Sequence, residues 1–470
     1  MADERFAEHL QHPHALGLAP DGACTGTAGG AACGDLIQIR IATDGQTVTG
    51  VGFDASGCGA ASAAASAAVT LADGASVLDA ARIDAAAVSA ELGGLSAGKF
   101  HAADLASDAL AVALGAAIMR APAANVLDEG RTLVALSGGV DSAVAATLEA
   151  QAGREVVCVT LELWRSAEND AERSCCSASA VRLARSVAHK AGMPHFTVDL
   201  RQEFRVGVVE PYLEGHRRGA TPNPCIKCNG NVRIDAMVGL ADRLGAATLV
   251  TGHYAQLEDG LLRAGVDPAK DQSYMLAGLD PATLARLRFP LGHLAKPQVR
   301  ELAEAAQISV AKRPESQDLC FLAGTGKRAF LQRHGGLEDR PGPIVTASGE
   351  VVGAHHGAHN FTVGQRRGLD LGGGPIRYVI ATDPAANTVT VGSAEDLLAH
   401  RVELSGVALH RGEEAVRAVR LRYHAKAIPC RLEGTTLHLE QPFPGVAPGQ
   451  SACLLDGDVV VGTGTIVSAA

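Results

Sequence analysis

The sequence predicts a multidomain chain: an α+β domain, then an α/β domain on a parallel sheet, then a small β domain and a C-terminal β-barrel. Three observations predict it. Strand-like and helical runs alternate from Arg131 to about residue 250. Short apolar runs separated by Gly, Pro, Asp and Asn fill the chain after about Gly335. An alanine-rich helical run, residues 105–120, ends at the segment 121–130, which sets a first unit apart from the rest. The length of 470 residues accommodates such a chain, with boundaries expected at 1–122, 129–334, 335–398 and 399–470.

In the first unit, residues 36–42 (LIQIRIA) and 48–55 (VTGVGFDA) alternate as paired strands do, with Asp44-Gly45 as the hairpin turn. Alanine-rich helices follow. In the second, the strand RTLVAL leads to a helix from about Ser142; then come strand EVVCVTLEL, a helix from Ser177 to about Ala191, strand HFTVDL, more helix and strand ATLVTGH. Strands separated by helices imply βαβ units. In the last part, RYVIAT, NTVTVG, RVELSGVAL, RAVRLRY, GTTLHLEQ and DVVVGTGTIV read as strands.

Composition narrows the function. With 47% hydrophobic and 20% charged residues the chain is globular, and aromatics of only 3% beside abundant Ala and Gly call for slim, closely packed helices. The net charge of −10 argues against a nucleic-acid partner only if it is spread evenly. It is not: residues 1–122 carry 5 Lys/Arg against 13 Asp/Glu, and the remainder 36 against 38. The acidic start has no apolar core of a secretion signal, and the longest uncharged stretch, residues 55–72, is too rich in Ala, Ser and Gly to span a bilayer. A cytoplasmic protein with no membrane partner is expected, in which 11 cysteines point to metal or sulfur chemistry rather than disulfides.

The segment 135–142 (ALSGGVDS) lies between a strand and a helix, where glycines let the backbone approach a phosphate and the helix N-terminus favours the anion. It lacks Gly-Lys-Ser/Thr and so is not a Walker A loop. It resembles the signature of the PP-loop (adenine nucleotide alpha hydrolase-like) enzymes, which cleave ATP between its α and β phosphates. The resemblance implies ATP contacts from Ala135, Leu136, Ser137, Gly138, Gly139, Val140, Asp141 and Ser142, with Asp141 helping to hold Mg²⁺.

TPNPCIKCN (221–229) places Cys225 and Cys228 in a C-x-x-C on a proline-rich loop, a spacing that lets two thiolates meet one metal or each other; Cys320 lies in ESQDLCF. SGGVDS, TPNPxxxCN, TGHY, KDQSYML, ESQDLCF, FTVGQRRGL and LRYHAK occur in that order. Together, over roughly residues 131–470, they closely resemble the tRNA-specific 2-thiouridylases. The resemblance implies ATP-dependent 2-thiolation of the wobble uridine by adenylation at the C2 oxygen, with glutamate, glutamine and lysine tRNAs as partners. It assigns Cys228 and Cys320 as catalytic cysteines, Cys320 carrying a persulfide. Leu161 and Gly252 would touch the nucleotide; Asn223, Pro224 and Cys225 the target base; Lys270, Asp271, Gln272, Arg422 and Tyr423 the tRNA. Many family members have an aspartate where this chain has Cys225. With it, Cys225, Cys228 and Cys320 could hold three irons of a [4Fe–4S] cluster. A persulfide relay and a cluster are both open; the cluster is preferred because of the segment upstream.

That segment, with AACGD (31–35), SGCGAASAAAS (56–66) and KFHAADLASDAL (99–110), resembles the NifU-type iron–sulfur scaffold proteins. Cys33, Asp35, Cys58 and His101 match the family's ligands, but Ala102 stands where its third cysteine would be. The remaining set suits Zn²⁺ or a labile [2Fe–2S] centre. The resemblance implies a cysteine desulfurase or another sulfur donor as partner, and fusion would raise the local concentration of the supplier beside the thiolase. Cys158, Cys430 and Cys453 read as core, one of Cys175 and Cys176 as buried or capping. His355, His356 and His359 read as RNA or turn residues rather than a metal cluster, Trp164 as packing near the nucleotide, and Arg366 and Arg367 as RNA contacts. Alternative readings are another PP-loop enzyme, such as a tRNA lysidine synthetase or an amide ligase, and a non-enzymatic iron–sulfur carrier.

Overall fold

The computed structural model describes residues 2–29, 34–165, 178–311, 319–372 and 374–470. Cys33, Cys175, Cys176 and residues 315–318 of ESQDLCF lie outside the described residues.

The first unit is a three-stranded antiparallel sheet, Cys24–Gly29, Leu36–Thr43 and Val48–Ser56, in sequence order. The expected hairpin is present, and Cys24–Gly29 adds an edge strand that the sequence reading missed, because CTGTAG has no apolar alternation. Ile37, Ile39, Ile41 and Phe53 point inward from this sheet and are fully buried. They pack with Gly59–Ala72 and with the long helix Phe100–Arg120, which runs five residues earlier than the expected start. Phe100–Arg120 is long and apolar enough to cross a membrane, yet 72% of its apolar window is buried inside the protein; it is a core helix.

The second unit carries a five-stranded parallel sheet in the order Leu287–Arg288, Ala246–Val250, Asp128–Ala135, Glu155–Glu162, His195–Asp199. The chain starts in the middle, adds strands to one side, then returns to the other. The order therefore reverses at Asp128–Ala135, and the carboxyl ends of strands at such a reversal are where open α/β sheets bind ligands.

The third unit is a four-stranded sheet, Val351–His355, Gly342–Thr346, Thr388–Gly392 and Tyr378–Asp383. In the fourth, Leu398–Leu409, Thr436–Pro444, Ile428–Glu433, Ala418–Arg420, Ser451–Asp456 and Val459–Ala469 close into a barrel through pairing of the first with the last. RAVRLRY is strand only over Ala418–Arg420. A hairpin of the second unit, Ala255–Glu258 and Leu261–Ala264, extends the barrel sheet by pairing Arg263 with Val459.

The first unit is docked rather than tethered. Its long helix lies along the edge strand His195–Asp199, and the buried residues of both units form one contiguous cluster. The Ala81 carbonyl accepts from the His195 backbone N–H and from the His189 ring, each at 3.0 Å. Asp108 of the helix pairs with Arg182 and with the buried Arg185. Arg243 Nε donates to the Ala121 carbonyl across the linker at 3.0 Å. The approach is close because it falls at Gly115, where a Cβ would run into the carbonyl of Thr197. Gly115→Leu is therefore expected to destabilise the docked arrangement by about 1–3 kcal/mol. The expected readout is a lower thermal midpoint and faster proteolysis at residues 121–127; an unchanged midpoint would contradict the docking.

Candidate active site and scaffold-like metal centre

The strand Asp128–Ala135 ends in the turn Leu136-Ser137-Gly138-Gly139, and helix Val140–Gln151 begins at once. Gly138 takes φ +71°, a left-handed conformation that glycine tolerates without strain. Ser142 Oγ ties the turn together: it accepts from the Ser137 N–H at 3.1 Å and donates to the Gly139 carbonyl at 3.1 Å. Gly252 follows the neighbouring strand Ala246–Val250 and lies against the helix start, where a Cβ would come within 2.8 Å of the Ser142 nitrogen. Leu161 is buried near the end of the strand on the other side. Strand ends on both sides thus flank a helix N-terminus, the geometry of a phosphate cradle.

Asp141, expected beside a magnesium ion, instead meets a lysine. Lys296 Nζ lies 2.6 and 2.8 Å from its two carboxylate oxygens, and the Tyr254 hydroxyl donates to one of them at 2.7 Å. Lys296 starts the helix Lys296–Ala305 and is 7% exposed. An ammonium group therefore stands beside the phosphate turn, and any magnesium arriving with a nucleotide must share Asp141 with it. The sequence reading missed Lys296, since nothing local in LAKPQVR signals a partner so far upstream.

Cys225 and Cys228 sit one turn apart on the short helix Pro224–Cys228. Asn223 caps it, its Oδ1 accepting from the Cys225 N–H at 3.1 Å. Cys228 is buried and Cys225 half-exposed. A π-helical turn, Asn229–Arg233, joins this helix to Ile234–Arg243; such turns recur at functional sites. Cys320 is half-buried. Its neighbour Phe321 is anchored in an aromatic cluster, with ring centroids 5.3 Å from Tyr212 and 5.0 Å from Phe330. Trp164 packs on that cluster, 5.6 Å from Phe330, beneath the Cys320 segment.

The segment 270–275 bridges the phosphate turn and the cysteine helix. Gln272 Oε1 accepts from the N–H of Tyr254, which holds Asp141, while Asn229, next to Cys228, donates its Nδ2 to the Met275 carbonyl at 3.1 Å and Tyr274 lies beside Asn223. Asp271 is buried; its carboxylate accepts from Arg420 of the barrel, from the Gly265 and Ser273 N–H groups and from the Ser273 hydroxyl. It is an interdomain tie, and an RNA contact would have to displace Arg420. Lys270 is half-exposed and Arg422 exposed. Tyr423 is half-buried, its pKa raised by burial and by the nearby Asp271 and Cys225. Asp271, Tyr274, Arg420, Tyr423, His424 and Lys426 line a cavity of about 330 Å³ between the second unit and the barrel.

Among the described residues, Asp35, Cys58 and His101 are the one group of three whose ligand atoms all lie within 4.8 Å. Asp35 Oδ1 accepts from the Cys58 N–H at 2.8 Å, and Cys58 Sγ donates to Oδ2 at 3.2 Å. His101 Nε2 lies 3.1 Å from the same Oδ2, and its Nδ1 is 3.0 Å from the Gly98 carbonyl. A proton on Nδ1 directed at that carbonyl leaves Nε2 as the ligand atom. Gly57, at φ +118°, admits the approach of Asp35. Ala102 is fully buried. One sulfur, one oxygen and one nitrogen fit zinc; a [2Fe–2S] centre takes four donors, and Cys33, the fourth of the expected set, lies outside the described residues. The three cysteines that would hold a [4Fe–4S] cluster come from two segments, Cys225 and Cys228 from one helical turn and Cys320 from the residue before Phe321.

The other expectations place simply. Cys158, Cys430 and Cys453 are buried, and burial pushes the thiols of Cys430 and Cys453 up to about 12, which makes them inert. His355 and His359 are buried in the turn, His355 Nδ1 accepting from the Gly357 N–H at 2.9 Å. Arg366 and Arg367 are exposed.

Two outcomes are expected. Lys296→Ala should slow ATP-dependent AMP formation by roughly 100-fold, as loss of an electrostatic contact to a transferring phosphate does, with partial recovery in Lys296→Arg; wild-type rates would make the Lys296–Asp141 pair purely structural. Protein purified with zinc should hold about one ion, lost in Cys58→Ser and His101→Ala by elemental mass analysis. Equal content in both variants would remove the site.

Comparison with known proteins agrees with this architecture. Family models match in chain order: "NifU-like N terminal domain" over residues 1–122, "tRNA methyl transferase HUP domain" over 130–324, "tRNA methyl transferase PRC-barrel domain" over 328–393 and "Aminomethyltransferase beta-barrel domain" over 395–466. The "Bifunctional protein NifU/MnmA" of Rubrobacter xylanophilus is 40% identical, with 98% of each chain covered. The "tRNA-specific 2-thiouridylase MnmA" of Thermobifida fusca is 42% identical over 72% of this chain and 95% of its own length. Its namesake in Thermus thermophilus is 41% identical over 72% and 94%. With relatives of this identity matched nearly end to end, the chain belongs to the tRNA-specific 2-thiouridylase family, in the form that carries a NifU-like domain at its front.

Proposed function

We propose that this tRNA sulfurtransferase converts the wobble uridine of glutamate, glutamine and lysine tRNAs to 2-thiouridine by a persulfide relay between Cys320 and Cys228. The observation that carries it is the bridge through residues 270–275, which ties the phosphate turn to the cysteine helix. ATP lies in the cradle of residues 135–142, flanked by Leu161 and Gly252, with magnesium brought by its phosphates. The uridine O2 attacks the α-phosphorus and pyrophosphate leaves, its growing charge facing the helix N-terminus and Lys296. The terminal sulfur of a Cys320 persulfide then attacks C2, and the C2–O bond breaks to release AMP. The Cys228 thiolate attacks the Cys320 sulfur, the S–S bond to the nucleoside breaks and 2-thiouridine leaves. The resulting Cys228–Cys320 disulfide is reset by an external thiol.

A relay needs Cys228 and Cys320 alone, whereas a cluster also needs Cys225, which stands one turn from Cys228 on the same helix. Asn223, Pro224 and Cys225 would face the base, and Lys270, Gln272, Arg422, Tyr423, Arg366 and Arg367 the rest of the tRNA. The docked first unit would receive sulfur from a cysteine desulfurase at Cys58, beside Asp35 and His101, and assist sulfur or iron–sulfur supply to the thiolase in the cytoplasm. Its acidic balance suits a protein partner better than RNA. Mass analysis of tRNA nucleosides after incubation with ATP and a sulfur source tests the relay. Cys228→Ser and Cys320→Ser are expected to abolish 2-thiouridine, and Cys225→Ser to retain most of it. Loss in all three variants would favour a three-cysteine cluster instead.

A further inference from the structure

The loop ahead of the cysteine helix is held from two other domains. Both backbone polar groups of Thr221 are taken by the barrel: its N–H donates to the Pro448 carbonyl at 2.7 Å, and its carbonyl accepts from Gln450 Nε2 at 2.6 Å. Its hydroxyl donates to Thr362 Oγ1 of the small β domain at 3.1 Å, and the Gly219 carbonyl accepts from Thr382 Oγ1 at 3.3 Å. Gly449 takes φ +87° against Thr221, where a Cβ would lie 3.0 Å from the Thr221 nitrogen. A second line runs in parallel. The fully buried Tyr274 donates its hydroxyl to the Ser451 carbonyl at 2.8 Å and lies beside Asn223, whose Oδ1 caps the Cys225 N–H. Neighbouring barrel residues, Pro448, Gln450 and Ser451, thus fix the backbone three to seven residues ahead of Cys228.

We propose that Gln450 and Tyr274 are positioning residues, through which the barrel sets the place of the Cys225–Cys228 helix for sulfur transfer. The barrel is then part of the catalytic geometry and not only a platform for RNA. A shift of about 1 Å in a reacting group costs on the order of 100-fold in rate, and two lines of contact from one strand start, one hydrogen-bonded to Thr221 and one packed through Tyr274 on Asn223, suppress such a shift. Each ends on backbone or on a cap, so each controls where the cysteines stand without touching the reacting atoms.

The proposal rests on thiolation as the activity but is tested apart from it. Gln450→Glu keeps the shape and removes the donor; Tyr274→Phe keeps the ring and removes the hydroxyl. In the full-length protein, each is expected to lower kcat for thiolation by roughly 10–100-fold while tRNA Kd stays within about twofold. Alkylation of Cys228 by iodoacetamide, mapped on peptides, should quicken in both variants without tRNA or ATP, and that arm reports even if no 2-thiouridine is formed by any protein. Wild-type kcat and wild-type alkylation in the double variant would overturn the proposal. So would a rise in Kd that accounts for the whole loss of rate, which would return the barrel to a binding platform.

Discussion

Close backbone packing around the helix Phe100–Arg120 is the constraint on which the arrangement of the front half depends. One face receives the strand Cys24–Gly29, where Gly26 lies against the backbone of Ala109 and Ala113; another receives the strand His195–Asp199 at Gly115. No larger residue fits at either contact. The scarcity of aromatics and the wealth of alanine are the consequence of a helix squeezed between two sheets. Burial on both sides also explains how a helix with weak amphipathicity persists: tertiary contact, not a polar face, fixes its rotation.

Covering His195–Asp199 has an electrostatic side. An edge strand presents unpaired N–H and C=O groups, a liability in a free α/β domain. Here the Ala81 carbonyl takes one N–H, and Asp108 neutralises Arg182 and Arg185 on the adjoining helix. The ion pairs sit where each unit alone would leave charge stranded against an apolar surface, so they specify the mutual orientation more than they add stability. A docked unit holds the group of Asp35, Cys58 and His101 at one fixed bearing from the second unit, whereas a tethered one would sample many.

The order of domains, the phosphate turn, the hairpin of residues 36–56 and both cysteine motifs were legible because each is local: a glycine turn after a strand, a proline-capped C-x-x-C, an alternation of two. What the sequence concealed is long-range. Lys296 reaches Asp141 across 155 positions and starts an ordinary surface-type helix. Asp271 reads as an exposed motif carboxylate, and only the fold shows it sealed against Arg420. Gly115 and Gly26 are two small residues among many. Ala102 was legible as a departure from the scaffold pattern, but its full burial needed the helix rotation. Only the fold shows that Cys228 is buried while Cys225 and Cys320 stay partly exposed.

The hairpin Ala255–Glu258 and Leu261–Ala264 joins the barrel sheet through Arg263 and Val459, and the barrel closes by pairing Leu398–Leu409 with Val459–Ala469. During synthesis, the catalytic unit therefore waits almost two hundred residues for the strand that completes its own hairpin. Until then the hairpin is an open edge and Arg420 has no barrel to hold it against Asp271. A ribosome-bound chain can finish its front domains early, but the contacts that join the second unit to the barrel form in one late step.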